Sequence, residues 1–150
     1  MADESRQGKE GTEMTSDKAR PIRVVVVDDS KIIRELVAAM LAEIEDVEVV
    51  AEAADAWGGV EKVQQHGPDV VVLDIRMPGG SGLGVLEKIK SWKTSLVAIV
   101  LTNYSYSSYR SRCMELGADF FFDKSKEFEK VGDVVRDLLR KRPKTTPSSD

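Results

Sequence analysis

One cysteine, Cys113, and one histidine, His66, are all that 150 residues hold of the side chains that build disulfides and structural zinc sites. A lone cysteine excludes an internal disulfide, and a zinc centre of the usual His/Cys kind needs four ligands. No run of the chain approaches the roughly 20 apolar residues that cross a bilayer. The polar, mixed-charge N-terminus lacks the apolar core of a secretory signal. Positive charge is also in short supply. Lys+Arg 22 against Asp+Glu 26 leaves a net charge of -4, which argues against direct DNA binding through a broad basic surface. These absences predict a soluble, cytoplasmic protein with no membrane insertion, and the length suits one well-buried domain.

What is present is an alternation of two periodicities between polar ends. Residues 1–20 and 143–150 are rich in charged, small and proline residues, and both read as disordered tails flanking a domain at 21–142. Ile22–Val27 is strongly apolar, with a strand at Val24–Val27. Ser30 then offers a helix N-cap ahead of Ile32, Ile33, Leu36, Val37, Met40, Leu41 and Ile44 at helical spacing. Val47–Ala53 is a second strand whose Glu48 and Glu52 place one face or edge in water. The helix at 55–66 is weaker, because Gly58 and Gly59 cost roughly 1 kcal/mol each relative to Ala, and Gly67-Pro68 stops it. Val70–Asp74 is the third strand. A turn-rich Met77-Pro78-Gly79-Gly80 follows, then a helix capped by Ser81 with Leu83, Leu86, Ile89 and Trp92 inward. Leu96–Leu101 is the fourth strand. A polar, tyrosine-rich helix spans about 107–116, Phe120–Phe122 is the fifth strand, and Phe128, Val131, Val134, Val135, Leu138 and Leu139 stripe the last helix. Strand and helix alternating in this way give a parallel sheet with helices on both faces, a doubly wound α/β domain of (βα)5 type.

The chemistry lies at the strand ends. Asp28 and Asp29 close the first strand and Asp74 the third, outside the carboxyl edge where open α/β sheets bind ligands. Three carboxylates gathered there repel one another unless a hard cation holds them, which asks for Mg2+ (or Mn2+). Thr102 at the end of the fourth strand adds a hydroxyl, and Lys124 after the fifth adds a point charge. Acids, metal, hydroxyl and ammonium together make a phosphoryl site. Asp74 can act in it as a carboxylate nucleophile.

These motifs resemble the receiver domains of two-component response regulators: Asp28-Asp29, Asp74 within Leu-Asp-Ile-Arg-Met-Pro-Gly-Gly, Thr102, and Lys124 within Phe-Phe-Asp-Lys. The resemblance covers residues 21–142 and implies a flavodoxin-like (CheY-like) fold with a five-stranded sheet of order 2-1-3-4-5. It implies that Asp74 accepts phosphate from a phosphohistidine on a sensor histidine kinase or a histidine phosphotransfer protein. Asp29, Asp74 and the backbone carbonyl of Arg76 would bind Mg2+ directly, and Asp28 mainly through metal-bound water. Thr102 would shift toward the phosphoryl group, and Phe121 would hold the aromatic switch position. The face made by the fourth helix, fifth strand and fifth helix would meet a downstream protein or a second copy in a homodimer. With no helix-turn-helix or enzymatic segment after the last helix, the chain reads as a stand-alone receiver and not as an enzyme acting on an external substrate. Phe121 lacks the hydroxyl of a switch tyrosine, so its switching would rest on packing.

Arg76 and Tyr104 each lie two residues beyond a site side chain, Asp74 and Thr102, and both are expected to rim the phosphoryl pocket. His66 reads as a partner for the end of its helix, and Cys113 as a packing residue. A Mg2+-dependent phosphohydrolase is the enzymatic rival. It is disfavoured because Ser30 stands where such enzymes usually carry a second aspartate.

Overall fold

A computed structural model describes residues 20–142. The two terminal segments read as disordered tails lie outside the described residues, apart from Arg20. That residue donates from its guanidinium to both oxygens of Asp69, at 2.8 and 2.9 Å.

The strands are β1 (Ile22–Val27), β2 (Val47–Ala53), β3 (Val70–Leu73), β4 (Val97–Thr102) and β5 (Phe120–Asp123). The helices are α1 (Lys31–Ala42), α2 (Ala56–His66), α3 (Gly82–Trp92), α4 (Ser107–Glu115) and α5 (Lys130–Lys141). All four strand pairings are parallel, and the order is β2-β1-β3-β4-β5. This is the flavodoxin-like order that the resemblance implies. A short antiparallel ladder, Arg76–Met77 against Gly80–Ser81, is added after β3, where the sequence shows only turn residues.

Strand pleating divides the core in two. Val25, Val27, Val71 and Leu73 face Val63, Leu86 and Ile89 of α2 and α3. Val24, Val26, Val70 and Val72 face Val37 and Leu41 of α1 and Val131 and Val135 of α5. The central strand β3 is buried on both faces, as its unbroken valine run requires. β2 is an edge strand, and Glu48 and Glu52 are its exposed positions.

Caps fall where the residue types predict them. Ser30 accepts from the Ile33 amide, Asp55 from Gly58 and Ser81 from Leu83. The glycine-weakened α2 has a packing reason. A Cβ at Gly59 would stand 2.8 Å from Cγ1 of Val27, so glycine lets this helix sit close on β1. Three apolar residues at helical spacing are corrected. Ile32 and Leu36 are 68% and 50% exposed, because only the Val37/Leu41 side of α1 meets the sheet. Trp92 is 45% exposed rather than inward, since α3 ends there and Leu96 fills the core position below it. No helix among the described residues is long and apolar enough to cross a membrane.

Candidate functional site

Three polar side chains are buried among the described residues, and all three stand at the carboxyl edge of the sheet: Asp28, Asp74 and Thr102. Each is the residue at which a core strand leaves the apolar layer. Asp28 and Asp74 keep backbone bonds to the sheet, their amides donating to Ala53 and Val27 at 3.0 Å each. Their carboxylates are therefore held in place by the ladder itself.

Lys124 reaches between the two acids. Its Nζ donates to Asp28 Oδ2 at 2.8 Å and to Asp74 Oδ2 at 2.9 Å, with the lysine side chain only 8% exposed. The remaining oxygens are also used, Asp28 Oδ1 accepting from the Ser30 amide and Asp74 Oδ1 from the Ile75 amide. Burial raises the Asp28 carboxyl above its ordinary range, against the pull of Lys124 and the Ser30 amide. Burial works against the Lys124 ammonium as well, but the two aspartates outweigh it and the net shift is upward.

Asp29 is exposed, and its carboxylate lies with those of Asp28 and Asp74 inside a 4.8 Å cluster. Three carboxylates against one ammonium leave two negative charges in a partly buried pocket. That imbalance, in an all-oxygen donor set, fits a small hard dication better than any softer metal.

The Arg76 guanidinium, two residues past Asp74, lies 4.5 Å above the ring of Tyr104, two residues past Thr102. Thr102 Oγ1 accepts from the Tyr104 amide at 3.1 Å, so the hydroxyl faces its own loop and makes no hydrogen bond to the acids. The Lys124 amide donates to the Thr102 carbonyl at 2.8 Å, which ties the ends of β4 and β5 together. Phe121 is 3% exposed within the α2–α4 side of the core, and the Arg110 guanidinium lies 5.4 Å from its ring.

Sequence reasoning missed several supports of this edge. Arg34 of α1 donates to the Asp28 carbonyl at 2.7 Å and pairs with Glu52 at 3.2 Å. Asp123 accepts from the Ser105 hydroxyl, the Ser125 amide and hydroxyl, and the Lys126 amide. It thereby clips the loop after Thr102 to the loop after Lys124. An Asp followed two residues on by Ser is an Asx-turn signal that could have been read. Gly82 is the third. A Cβ on it would stand 2.1 Å from the Asp74 carbonyl oxygen, so the start of α3 lies directly against the Asp74 backbone.

The response regulator receiver domain family matches residues 24–136. The chain belongs to that family. The receiver is 33% identical over 122 residues to a protein-glutamate methylesterase/protein-glutamine glutaminase of Clostridium acetobutylicum, covering 80% of this chain and 35% of that protein. The receiver thus spans about a third of the length of this relative. Among solved structures, the signal receiver domain of NarL from Mycobacterium tuberculosis is 30% identical with a TM-score of 0.74, covering 83% of this chain and 100% of that one. CheY in the CheX-CheY-BeF3-Mg complex from Borrelia burgdorferi is 26% identical with a TM-score of 0.73, over 80% and 90% of the two chains. The receiver is a two-component signalling phosphoacceptor that takes phosphate on aspartate.

Proposed function

We propose that Asp74 is the phosphoacceptor, and that it takes its phosphoryl group from a phosphohistidine on a sensor histidine kinase or histidine phosphotransfer protein. The observation that carries this is the isolation of Asp28, Asp74, Thr102 and Lys124 as a buried polar group at the end of an apolar sheet. Burial of that kind is costly and is kept where function requires it.

In the transfer, a carboxylate oxygen of Asp74 attacks phosphorus. The P–N bond to the donor imidazole breaks, its electron pair returns to the ring, and an acyl phosphate forms on Asp74. Asp28, Asp29, Asp74 and the Arg76 carbonyl are the groups that would hold Mg2+, with Mn2+ acceptable to the same oxygens. When bound, the ion neutralises phosphoryl oxygens and offsets the repulsion among the acids. Lys124, which bridges two carboxylates, passes to a phosphoryl oxygen once Asp74 is phosphorylated. Thr102 turns its hydroxyl from the Tyr104 amide toward the phosphoryl group, drawing the β4–α4 loop with it. Phe121, pinned beneath Arg110, repacks as that loop moves, and the α4–β5–α5 surface presents the result to a downstream protein or a second copy. The change is a shift between two populated conformers, biased by charge at Asp74. The reading places the protein in the cytoplasm, where phosphohistidine donors act, and gives it self-phosphorylation and slow phosphate loss without an external substrate.

Incubation with acetyl phosphate, followed by intact mass, tests it. One phosphoryl group is expected with Mg2+, and none with EDTA or in Asp74→Ala. Full labelling of Asp74→Ala would overturn the assignment. Repeated turnover of small phosphate esters would instead restore the phosphohydrolase reading.

A further inference from the structure

α2 and α3 lie side by side, and the seam between them opens to solvent in two places. Near the helix starts, a cavity of about 300 Å3 is lined by Val60 and Val85 with Trp57 and Lys88 beside them. Near the helix ends, a second of about 320 Å3 is lined by Val63 and Ile89 with Trp92 and Lys93 beside them. Trp57 is 74% exposed and Trp92 45%. One exposed apolar side chain needs no explanation, whereas two indoles at opposite ends of one apolar seam form a patch.

Gly84 stands along this seam. It is exposed within a helix, where glycine costs about 1 kcal/mol relative to alanine. A Cβ there would meet nothing within 4 Å, so nothing in the described fold requires the glycine. A backbone arriving from outside would use that space. The charge is also one-sided, for Lys88 and Lys93 line the two cavities and no carboxylate does. The Lys88 Nζ lies 6.0 Å from the Trp92 ring, which holds a cation over the seam.

Each helix has 11 residues, so the seam is about 16 Å long, three turns of a helix laid along it. We propose that the α2–α3 seam docks an amphipathic helix of a partner protein, its apolar stripe filling the two cavities and its flanking carboxylates meeting Lys88 and Lys93. A second copy docking seam to seam fits less well, because two-fold pairing sets these lysines against the same lysines. The seam is separate from the acidic pocket, and the proposal does not depend on phosphorylation at Asp74.

Trp57 and Trp92 are the two tryptophans of the chain, so tryptophan emission of the full protein, excited beyond the tyrosine band, reports on the seam. The probe is a synthetic 18-residue helix with leucines at i, i+3, i+4 and i+7 and glutamates on both flanks. Saturable blue-shifted emission is expected. Binding should weaken about tenfold or more when lysines replace the glutamates, in Lys88→Glu/Lys93→Glu, and in Gly84→Phe, which fills the seam. These surface changes leave the circular dichroism unaltered. Equal response to both peptides, or to the charge-reversed protein, overturns the proposal. So does blue emission in the free monomer, which would mean that the chain covers its own seam. A blue shift with protein concentration, accompanied by dimer in sedimentation, would assign the seam to a second copy instead.

Discussion

The guanidinium of Arg76 lies 4.5 Å over the ring of Tyr104. The two residues stand two positions past Asp74 and Thr102, and we propose that their contact screens an acyl phosphate on Asp74 from water. Such a contact at an exposed site is worth about 0.5–1 kcal/mol. Loss of either side chain therefore predicts dephosphorylation faster by about two- to fivefold, through easier access of water. Decay of the phosphorylated protein in Tyr104→Ala and Arg76→Ala measures it. Unchanged rates in both would show that the pair shields nothing.

Lys124 stands 2.8 and 2.9 Å from two nearly buried carboxylates. Lys124→Met leaves both without a cation, and the cost of an unpaired buried charge is about 3–5 kcal/mol. Urea unfolding at neutral pH should show that loss, with part of it restored by Mg2+. A variant as stable as the parent in EDTA would mean that the acids do not depend on the ammonium.

Asp123 gives a pH signature. The Ser105 hydroxyl first, and then the Ser125 hydroxyl and amide, hold its carboxyl at about 2, below the ordinary 3.8. A depressed acid supplies stability above its unfolded value and loses it as pH falls through the folded one, here from 3.8 down to 2. Because the group lies at the surface, the contribution is small, and the titration itself is the readout. An NMR titration of Asp123 should give a midpoint well below 3.8, moving up in Ser105→Ala. A midpoint at the ordinary value would mean that the clip between the two loops does not form in solution.

Gly82→Ala separates close approach from helix propensity. The added Cβ would fall 2.1 Å from the Asp74 carbonyl oxygen and 2.7 Å from Ile75 Cα, so backbone must move. A destabilisation of about 1–3 kcal/mol is expected, with a larger loss of labelling at Asp74. Gly84→Ala, on the open side of the same helix, should gain about 1 kcal/mol and label normally. Normal labelling of Gly82→Ala would show that α3 does not set the position of Asp74.

The parallel sheet and the five residues at its edge were legible because each signal was local. Apolar strands ended in Asp28, Asp74 or Thr102, and the cap Ser30 stood two residues past Asp28. What escaped depended on distance in the chain. Arg34 reaches Asp28 through a helical turn, Asp123 meets Ser105 across 18 residues, and Gly82 matters only because the Asp74 backbone lies against it. The exposure of Ile32, Leu36 and Trp92 was hidden for the same reason. An apolar residue at helical spacing marks a face, while the width of the buried stripe depends on what packs there.

The central claim is that Asp74 carries the phosphoryl group. Borohydride reduction of the phosphorylated protein converts an acyl phosphate to homoserine, and peptide mass spectrometry then locates it. Homoserine at position 74 is the predicted result, absent when Mg2+ is chelated. Homoserine at position 28 or 29 with Asp74 intact, or phosphate that survives borohydride on a hydroxyl such as that of Thr102, would contradict it.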